Sequence, residues 1–587
     1  MKYATIKSFL VFSVVLVSSF AASAQGGEGD AFDQTQIITG DRTLTVQKAF
    51  KISEMPTVVD IPVQMGTLTY EMIPKRPATE ITPEPIEPAT VKIREPLEKL
   101  YHGFVKAGAG TFATPYVEAF YTSNRDRDKS YGVHARHLSS HDGVNQPVAF
   151  SGFSETNVDL WGKKIFKQHS LQTDLGYALN GYHYYGFDPQ DAEIDKKDMR
   201  QRFNDFSLSA DYRSYYRDSS RINHNIGLDS YYYSDSYDAN EIGVKATTQL
   251  RSWRGDQYYT LDGGLDFVGY NTGDLKAFDF MSDSSGIFIP ANDYTNVIFH
   301  ATPRILLVKN GFRAMAGLAV YGQFDSKARF HAFPDLEVSY SLFNDIFIPY
   351  AGVTGSVERN SYKTLSRENP FILSNLSHYG TDDKPLINSI VKYDLFGGIR
   401  GTLSDKMSFN TRIGYKKVDE TPLFVNDTLV SEENRFLVIY DQVQTFSMMG
   451  ELSYKNSEKW SATARGEIFT YSANDEQEAW HMPKYRFSLL GSYTLFEKLS
   501  IGAEMALVGK RYAKSLRPVS DVQIEPEGFY KVELDPYFDL TLKAEYRYSN
   551  RISAFIEANN LTGTKYDQYY RFPVQRVFLL GGLKFAF

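Results

Sequence analysis

From about Gly103 to Phe587, segment after segment alternates apolar with polar residues, the period of a β-strand. Between Tyr537 and Tyr548, Phe538, Leu540, Leu542, Ala544, Tyr546 and Tyr548 share one face. Asp539, Thr541, Lys543, Glu545 and Arg547 share the other. Successive strand side chains point to opposite faces, so one face is apolar and the other charged. Phe206, Leu208, Ala210 and Tyr212 repeat the pattern, as do Leu499, Ile501, Ala503, Met505 and Leu507. A soluble sandwich alternates in the same way, so the spacing of the breaks carries the argument.

Short polar turns recur at 123–129, 166–169, 217–220, 254–256, 309–311, 343–345, 404–406, 456–458, 496–498 and 549–551. Between them, pairs of strands are joined mostly by longer polar stretches, at 188–197, 274–292, 358–384, 420–434, 473–478 and 514–533. Short turns alternating with long loops is the pattern of a bacterial outer-membrane β-barrel, with turns in the periplasm and loops outside. The turn count implies an all-β, transmembrane antiparallel barrel of about 22 strands. Two outer connections, near Ala113–Pro115 and Ser326–Lys327, are short, which leaves the count a tolerance of two strands. Many strands exceed the roughly 9–11 residues that cross a bilayer, so they are expected to run past it on the outside.

Composition agrees. Aromatic residues make up 15% of the chain, with 41 Tyr and 41 Phe, yet mean hydropathy is −0.36. No stretch beyond the N-terminus is long and apolar enough for a spanning helix, and a barrel with aromatic girdles and a polar interior suits these values. There is no cysteine, which excludes disulfides, thiolate metal sites and cysteine nucleophiles. The net charge of −8 is mild and basic residues form no dominant block, so nucleic acid is not an expected partner.

At the front, Lys2 and Lys7 precede an apolar run from Ser8 to Phe20, and Ala22-Ser23-Ala24 supplies a small-x-small cleavage site. Residues 1–24 therefore read as a signal peptide cut before Gln25, and the cell outer membrane is the expected location. Residues 25–98 form a Pro-rich extended segment, marked by Ile73-Pro74-Lys75-Arg76-Pro77 and Ile81 to Pro88; residues 99–587 form the barrel. Val58 to Val63 is the one strand candidate in the segment and reads as an extended apolar stretch.

The last forty residues carry the most specific signal. Ile552 to Tyr566, with Asn559-Asn560-Leu561-Thr562-Gly563 and Tyr566, resembles the penultimate strand of TonB-dependent receptors. Phe572-Pro573, Arg576, Phe578, Gly581-Gly582 and the terminal Phe587 resemble their closing strand, with Arg576 one position early, and the flavour is that of Bacteroidota envelope proteins. The resemblance implies a 22-stranded barrel assembled by the barrel-assembly machinery, with outer-membrane lipid around it. It also implies a plug domain of about 150 residues, which is not found in 25–98. With strands ~4.8 Å apart and tilted ~40°, the barrel radius is roughly 20 Å and its lumen on the order of 20,000 Å³. The N-terminal segment, at roughly 130 Å³ per residue, fills less than half of that. The segment cannot seal the lumen alone, so either outer loops fold inward, or a partner enters, or the pore is partly open.

Chemistry is sparse. There is no G-x-S-x-G, no H-E-x-x-H and no phosphate-cradling loop, so no enzyme, catalytic residue, cofactor or metal site is expected. His134 and His137 should face opposite sides of a strand, and His183 reads as an aromatic of a Tyr-rich stretch. Asp188, Asp191, Glu193 and Asp195 lack the spacing and the glycine of a calcium loop. Tyr184, Tyr185, Tyr231, Tyr232 and Tyr233 read as girdle residues near the outer interface, or as a stacking surface for a ligand. The leading expectation is a receptor-like transport barrel, a solute channel or receptor without plug gating. The alternative is a plug-less scaffold or partner subunit of an assembly or secretion complex, holding proteins through residues 26–97.

Overall fold

The computed structural model describes residues 100–587 apart from 124–125, 142–150, 187–198, 219–220, 256, 273–292, 326, 375–385, 428–433, 457–458, 516–521, 523 and 526–527. The expected signal peptide, the Pro-rich segment and the carboxylates at 188–195 lie outside the described residues.

The described residues form one 22-stranded antiparallel sheet. Each barrel strand pairs with the next along the chain, and the last, Phe578–Ala586, pairs with both Ile552–Asn559 and the first, Gly103–Gly110. The register runs from Phe104↔Ala586 to Gly110↔Leu580, so the sheet closes and no barrel edge is left unpaired. Closure satisfies the backbone N–H and C=O groups that hydrocarbon would otherwise leave without partners. The strand count agrees with the turn spacing, and all ten expected turns fall on tight connections. One connection meets its need for left-handed backbone with residues that adopt it readily: Asn310 at φ 49° and Gly311 at φ 78° join two long strands.

Face assignment follows the alternation. Phe538, Leu542 and Tyr546 are exposed on the outside, as are Leu579, Leu583 and Phe585 on the closing strand. The other face lines the lumen with paired charges. Lys543 bonds Glu504 at 2.8 Å, Arg412 bonds Asp394 at 2.7 Å, Lys584 lies 3.3 Å from Glu545, and Arg304 sits between Asp262 and Asp335. His134 contacts Glu118 while His137 contacts Thr156, each on its own face as expected. Aromatic pairs mark the tight-turn end, with Trp253 against Tyr258 at 4.7 Å and Tyr454 against Trp460 at 4.3 Å.

The long connections depart from the expectation. Two strands reach far past the bilayer, Met407–Asn426 and Phe436–Asn456, shrinking the loop expected at 420–434. The stretch expected as a loop at 514–533 is flanked by a hairpin of Arg511–Ser515 with Tyr530–Leu534. Phe572-Pro573 is not part of the closing strand but pairs with Asp567–Tyr569 in a separate hairpin. A helix, Tyr362–Glu368, stands inside the connection expected at 358–384.

Candidate functional site: the outer mouth

That helix is the centre of the site. Ser361 caps it by accepting from the Thr364 N–H, while the Thr364 hydroxyl accepts from the Ser361 N–H. At seven residues it is too short to persist alone, so its surroundings must hold it. Three carboxylates from neighbouring strand ends do so. Glu241 accepts from the backbone N–H of Tyr362 at 2.7 Å and of Lys363 at 3.3 Å, satisfying N-terminal donors that the helix cannot pair internally. Asp205 pairs with Lys363 at 2.8 Å and Arg367 at 2.5 Å.

Asp235 is the most heavily bonded. Its carboxylate accepts from the Tyr362 hydroxyl at 2.7 Å, from Gln201 Nε2 at 3.0 Å and from the Ser374 hydroxyl. Its other oxygen accepts the backbone N–H groups of Tyr237 and Ala239, each at 2.9 Å. Burial raises the Asp235 carboxyl above the usual carboxylate range, and the bonds from Ser374, Tyr362 and Gln201 pull it back down. Burial likewise lowers Lys363, with Asp205 opposing, and raises Glu368.

Around this latch, rings close the gap. Phe203 stacks on Tyr233 at 5.5 Å, and Tyr362 lies 5.1 Å from Tyr270 and 5.8 Å from Tyr233. From the far wall, Phe572 stacks on Phe371 at 3.8 Å and meets Tyr185 at 5.0 Å and Phe436 at 5.7 Å. The Tyr569 hydroxyl donates to the Glu368 carbonyl at 2.7 Å, and Tyr185 donates to the Pro573 carbonyl at 3.0 Å. The stretch after the helix also exchanges backbone bonds with the start of the Phe436–Asn456 strand, Leu373 N–H to the Phe436 carbonyl at 2.9 Å and Phe436 N–H to the Phe371 carbonyl at 3.0 Å.

Ring position gives these contacts their meaning. Tyr184 follows the fifth barrel strand, His169–His183, and Arg435 precedes the sixteenth, Phe436–Asn456; in a 22-membered ring these are diametrically opposite. Yet the Arg435 guanidinium lies 4.5 Å over the Tyr184 ring, and Asn434 donates to the Tyr184 carbonyl at 2.9 Å. Walls about 40 Å apart touch only if the connections lean inward and meet over the lumen. The described outer connections therefore build an aromatic cap across the mouth.

A second layer supports the cap near the Arg511–Ser515 hairpin. Trp480 packs edge-on to Phe529 at 5.7 Å, and Lys514 pairs with Glu476 at 2.8 Å. His481 sits beneath Tyr569 and Phe436, at 5.3 and 5.7 Å, with neither ring nitrogen hydrogen-bonded. Burial, with a smaller push from Arg511, lowers its pKa to about 3 and keeps the ring neutral.

Four of the five expected girdle tyrosines are thus elsewhere. Tyr184, Tyr185 and Tyr233 are cap residues, and Tyr231 donates to Glu241 at 2.6 Å; Tyr232 faces outward, exposed. Their alternation with Tyr232 was the available signal, since one period-two run cannot place all its members on the lipid face. His183 bonds the Gly152 carbonyl at 2.6 Å. Among the described residues, no group of His, Asp and Glu is placed to hold a metal ion.

A closed 22-stranded barrel with an apolar outer belt, tight turns at one end and long connections at the other has the fold of outer-membrane receptors of the TonB-dependent kind, and the outer membrane is its place. The FrpB iron transporter of Neisseria meningitidis superposes with a TM-score of 0.61 at 9% identity, over 84% of this chain and 82% of that one. The receptor FpvA of Pseudomonas aeruginosa bound to heterologous pyoverdines gives 0.60 at 13%, over 83% and 72%. The ferric-catecholate import receptor Fiu of Escherichia coli gives 0.58 at 10%, over 83% and 82%. At such identities the likeness is one of fold. No family model matches the sequence, and no curated protein matches it.

Proposed function

We propose that this chain is a receptor-like outer-membrane transport barrel whose passage is governed at the outer mouth by its own cap. The observation that carries the reading is the junction of opposite walls, Tyr184 with Asn434 and Arg435, around a latched helix. Beneath it the lumen wall is lined with ion pairs, which a water-filled passage accommodates and a packed core would not. The latch is made of hydrogen bonds and ion pairs, so water and solute can compete for each of its members, and closure is reversible in principle.

The competing reading is a scaffold: a barrel shut for good, whose segment 26–97 holds periplasmic partners. A shut mouth suits a scaffold as well, but the ion-paired lumen wall beneath it favours a passage. Conductance in planar bilayers separates the two, measured on the mature chain with the cap intact, with the cap loosened by Asp235→Ala and Phe572→Ala, and with 26–97 also deleted. A transport barrel conducts once the cap is loosened, alone or together with the deletion. A scaffold stays silent in every form and loses co-purifying proteins when 26–97 is removed.

A further inference from the structure

The chain as a whole is acidic, yet its tight-turn end is not. Every tight turn except Ser341–Phe347 carries Lys or Arg, and among the described residues of these turns exposed basic residues outnumber exposed acidic ones about two to one. Lys167, Arg217, Arg254, Lys309, Lys459 and Arg551 are all exposed, and each comes from a different turn. The acids that do occur there are partly spent on weak exposed pairs, Asp126 with Lys129 at 3.8 Å and Asp218 with Arg221 at 4.0 Å.

Two further observations give the charge a direction. The basic residues are spread around the ring, from the turn after the fourth strand to the turn after the twentieth, rather than gathered in one patch. They stand at the level of exposed aromatics: Trp460, Phe496 and Tyr548. Aromatic rings settle at the boundary between hydrocarbon and headgroup, so cations just beyond them meet the phosphate layer. A soluble protein would dock on a one-sided patch. A ring of positive charge around the circumference fits an annular partner, and the leaflet that encircles the barrel is annular.

We propose that the tight-turn rim is a docking surface selecting anionic phospholipid headgroups in the periplasmic leaflet. The proposal rests on the barrel residing in a membrane, as proposed above. Lys and Arg at a membrane surface each add attraction to anionic lipid that fades within a Debye length. Selection should therefore be salt-sensitive and spread over many residues.

The test uses the full mature chain in vesicles holding equimolar phosphatidylcholine and phosphatidylglycerol, with one or the other brominated. Trp460 reports at the rim, while Trp161 and Trp253 on the lumen face and Trp480 in the cap are shielded from lipid. Brominated phosphatidylglycerol should quench Trp460 several-fold more than brominated phosphatidylcholine. The excess should vanish near ~1 M salt, where the Debye length is ~3 Å. It should also fall in the combined variant Lys167→Gln, Arg217→Gln, Arg254→Gln, Lys309→Gln, Lys459→Gln and Arg551→Gln. Should that variant fail to fold, as judged by loss of heat-modifiable migration, the salt titration on the unaltered protein still decides. Equal quenching by both lipids overturns the selection while leaving membrane residence intact. Quenching by neither overturns the residence itself. Binding of soluble polyglutamate with no lipid preference would make the rim a protein-docking face and also overturn the proposal.

Discussion

Replacing Asp235 with Ala should open the cap without unfolding the barrel. The substitution strands three side-chain donors, on Tyr362, Gln201 and Ser374, and two backbone donors, on Tyr237 and Ala239. A buried donor left without an acceptor costs about 1–3 kcal/mol. Some of these groups will turn toward water once the cap loosens, so counting only the three side-chain donors gives a local loss of roughly 3–9 kcal/mol, with the lower end the safer figure. The barrel is held by long ladders far from Asp235, such as the pairing from Gln257 to Asn271 with Asp293 to Lys309, and these should not feel the change. Local opening then rises without global unfolding, as expected where stability is not uniform across a structure. At about 1.4 kcal/mol per tenfold, exchange of the backbone amides of 361–374 should accelerate by on the order of 100-fold or more. Amides of the barrel ladders should be unchanged, and heat-modifiable migration retained. Acceleration of the cap amides by less than about threefold would refute the reasoning, because three orphaned donors cannot cost so little. Loss of the barrel ladders together with the cap would refute the claim that the two are separate.

Phe572→Ala removes the ring that joins Phe371, Tyr185 and Phe436, and at the usual ~3–5 kcal/mol for such a truncation it should free the 560–577 connection to proteolysis while the barrel stays resistant. His481 makes the cap acid-sensitive: its folded pKa of about 3 lies below its ordinary value near 6.5, so between these values the open cap binds a proton that the closed cap refuses. Closure is thus fully stable above about pH 6.5 and weakens as pH falls; Asp235 and Glu368, raised by burial, act in the opposite sense. Exchange of the cap amides at pH 7 and pH 5 should therefore differ less in His481→Phe than in the unaltered chain. Leu583→Arg sets a charge on the lipid face of the closing strand, at a cost of about 2–4 kcal/mol near the midplane, and should reduce the heat-modifiable fraction on folding into vesicles; the same substitution at exposed Ser549 in a turn should not.

The barrel was legible because its rules are local. Period two places Phe538, Leu542 and Tyr546 outside and Lys543 inside from sequence alone, and Asn310-Gly311 announces its turn. The closing strand was misjudged at its start, since Phe572-Pro573 is apolar enough to look like strand but is used in the cap. The cap itself was illegible for a physical reason. Its contacts join residues with no shared period, such as Tyr184 with Arg435 and Tyr569 with Glu368, and depend on which strands face each other across a closed ring. The helix had a local sign in Ser361 and Thr364, a capping box without the usual Glu or Gln, too faint to stand out in a polar loop. The sequence left three possibilities, outer connections folded inward, a partner in the lumen or a partly open pore, and the described residues show the first.

The most direct test of the cap is single-channel conductance of the mature chain beside its Asp235→Ala, Phe572→Ala variant, in each case with and without residues 26–97. Silence in the unaltered chain and steady ionic current once the cap is loosened, with or without 26–97, is the expected result. A large steady current through the unaltered chain would contradict a closed mouth, and silence in the loosened, truncated form would contradict a passage beneath it.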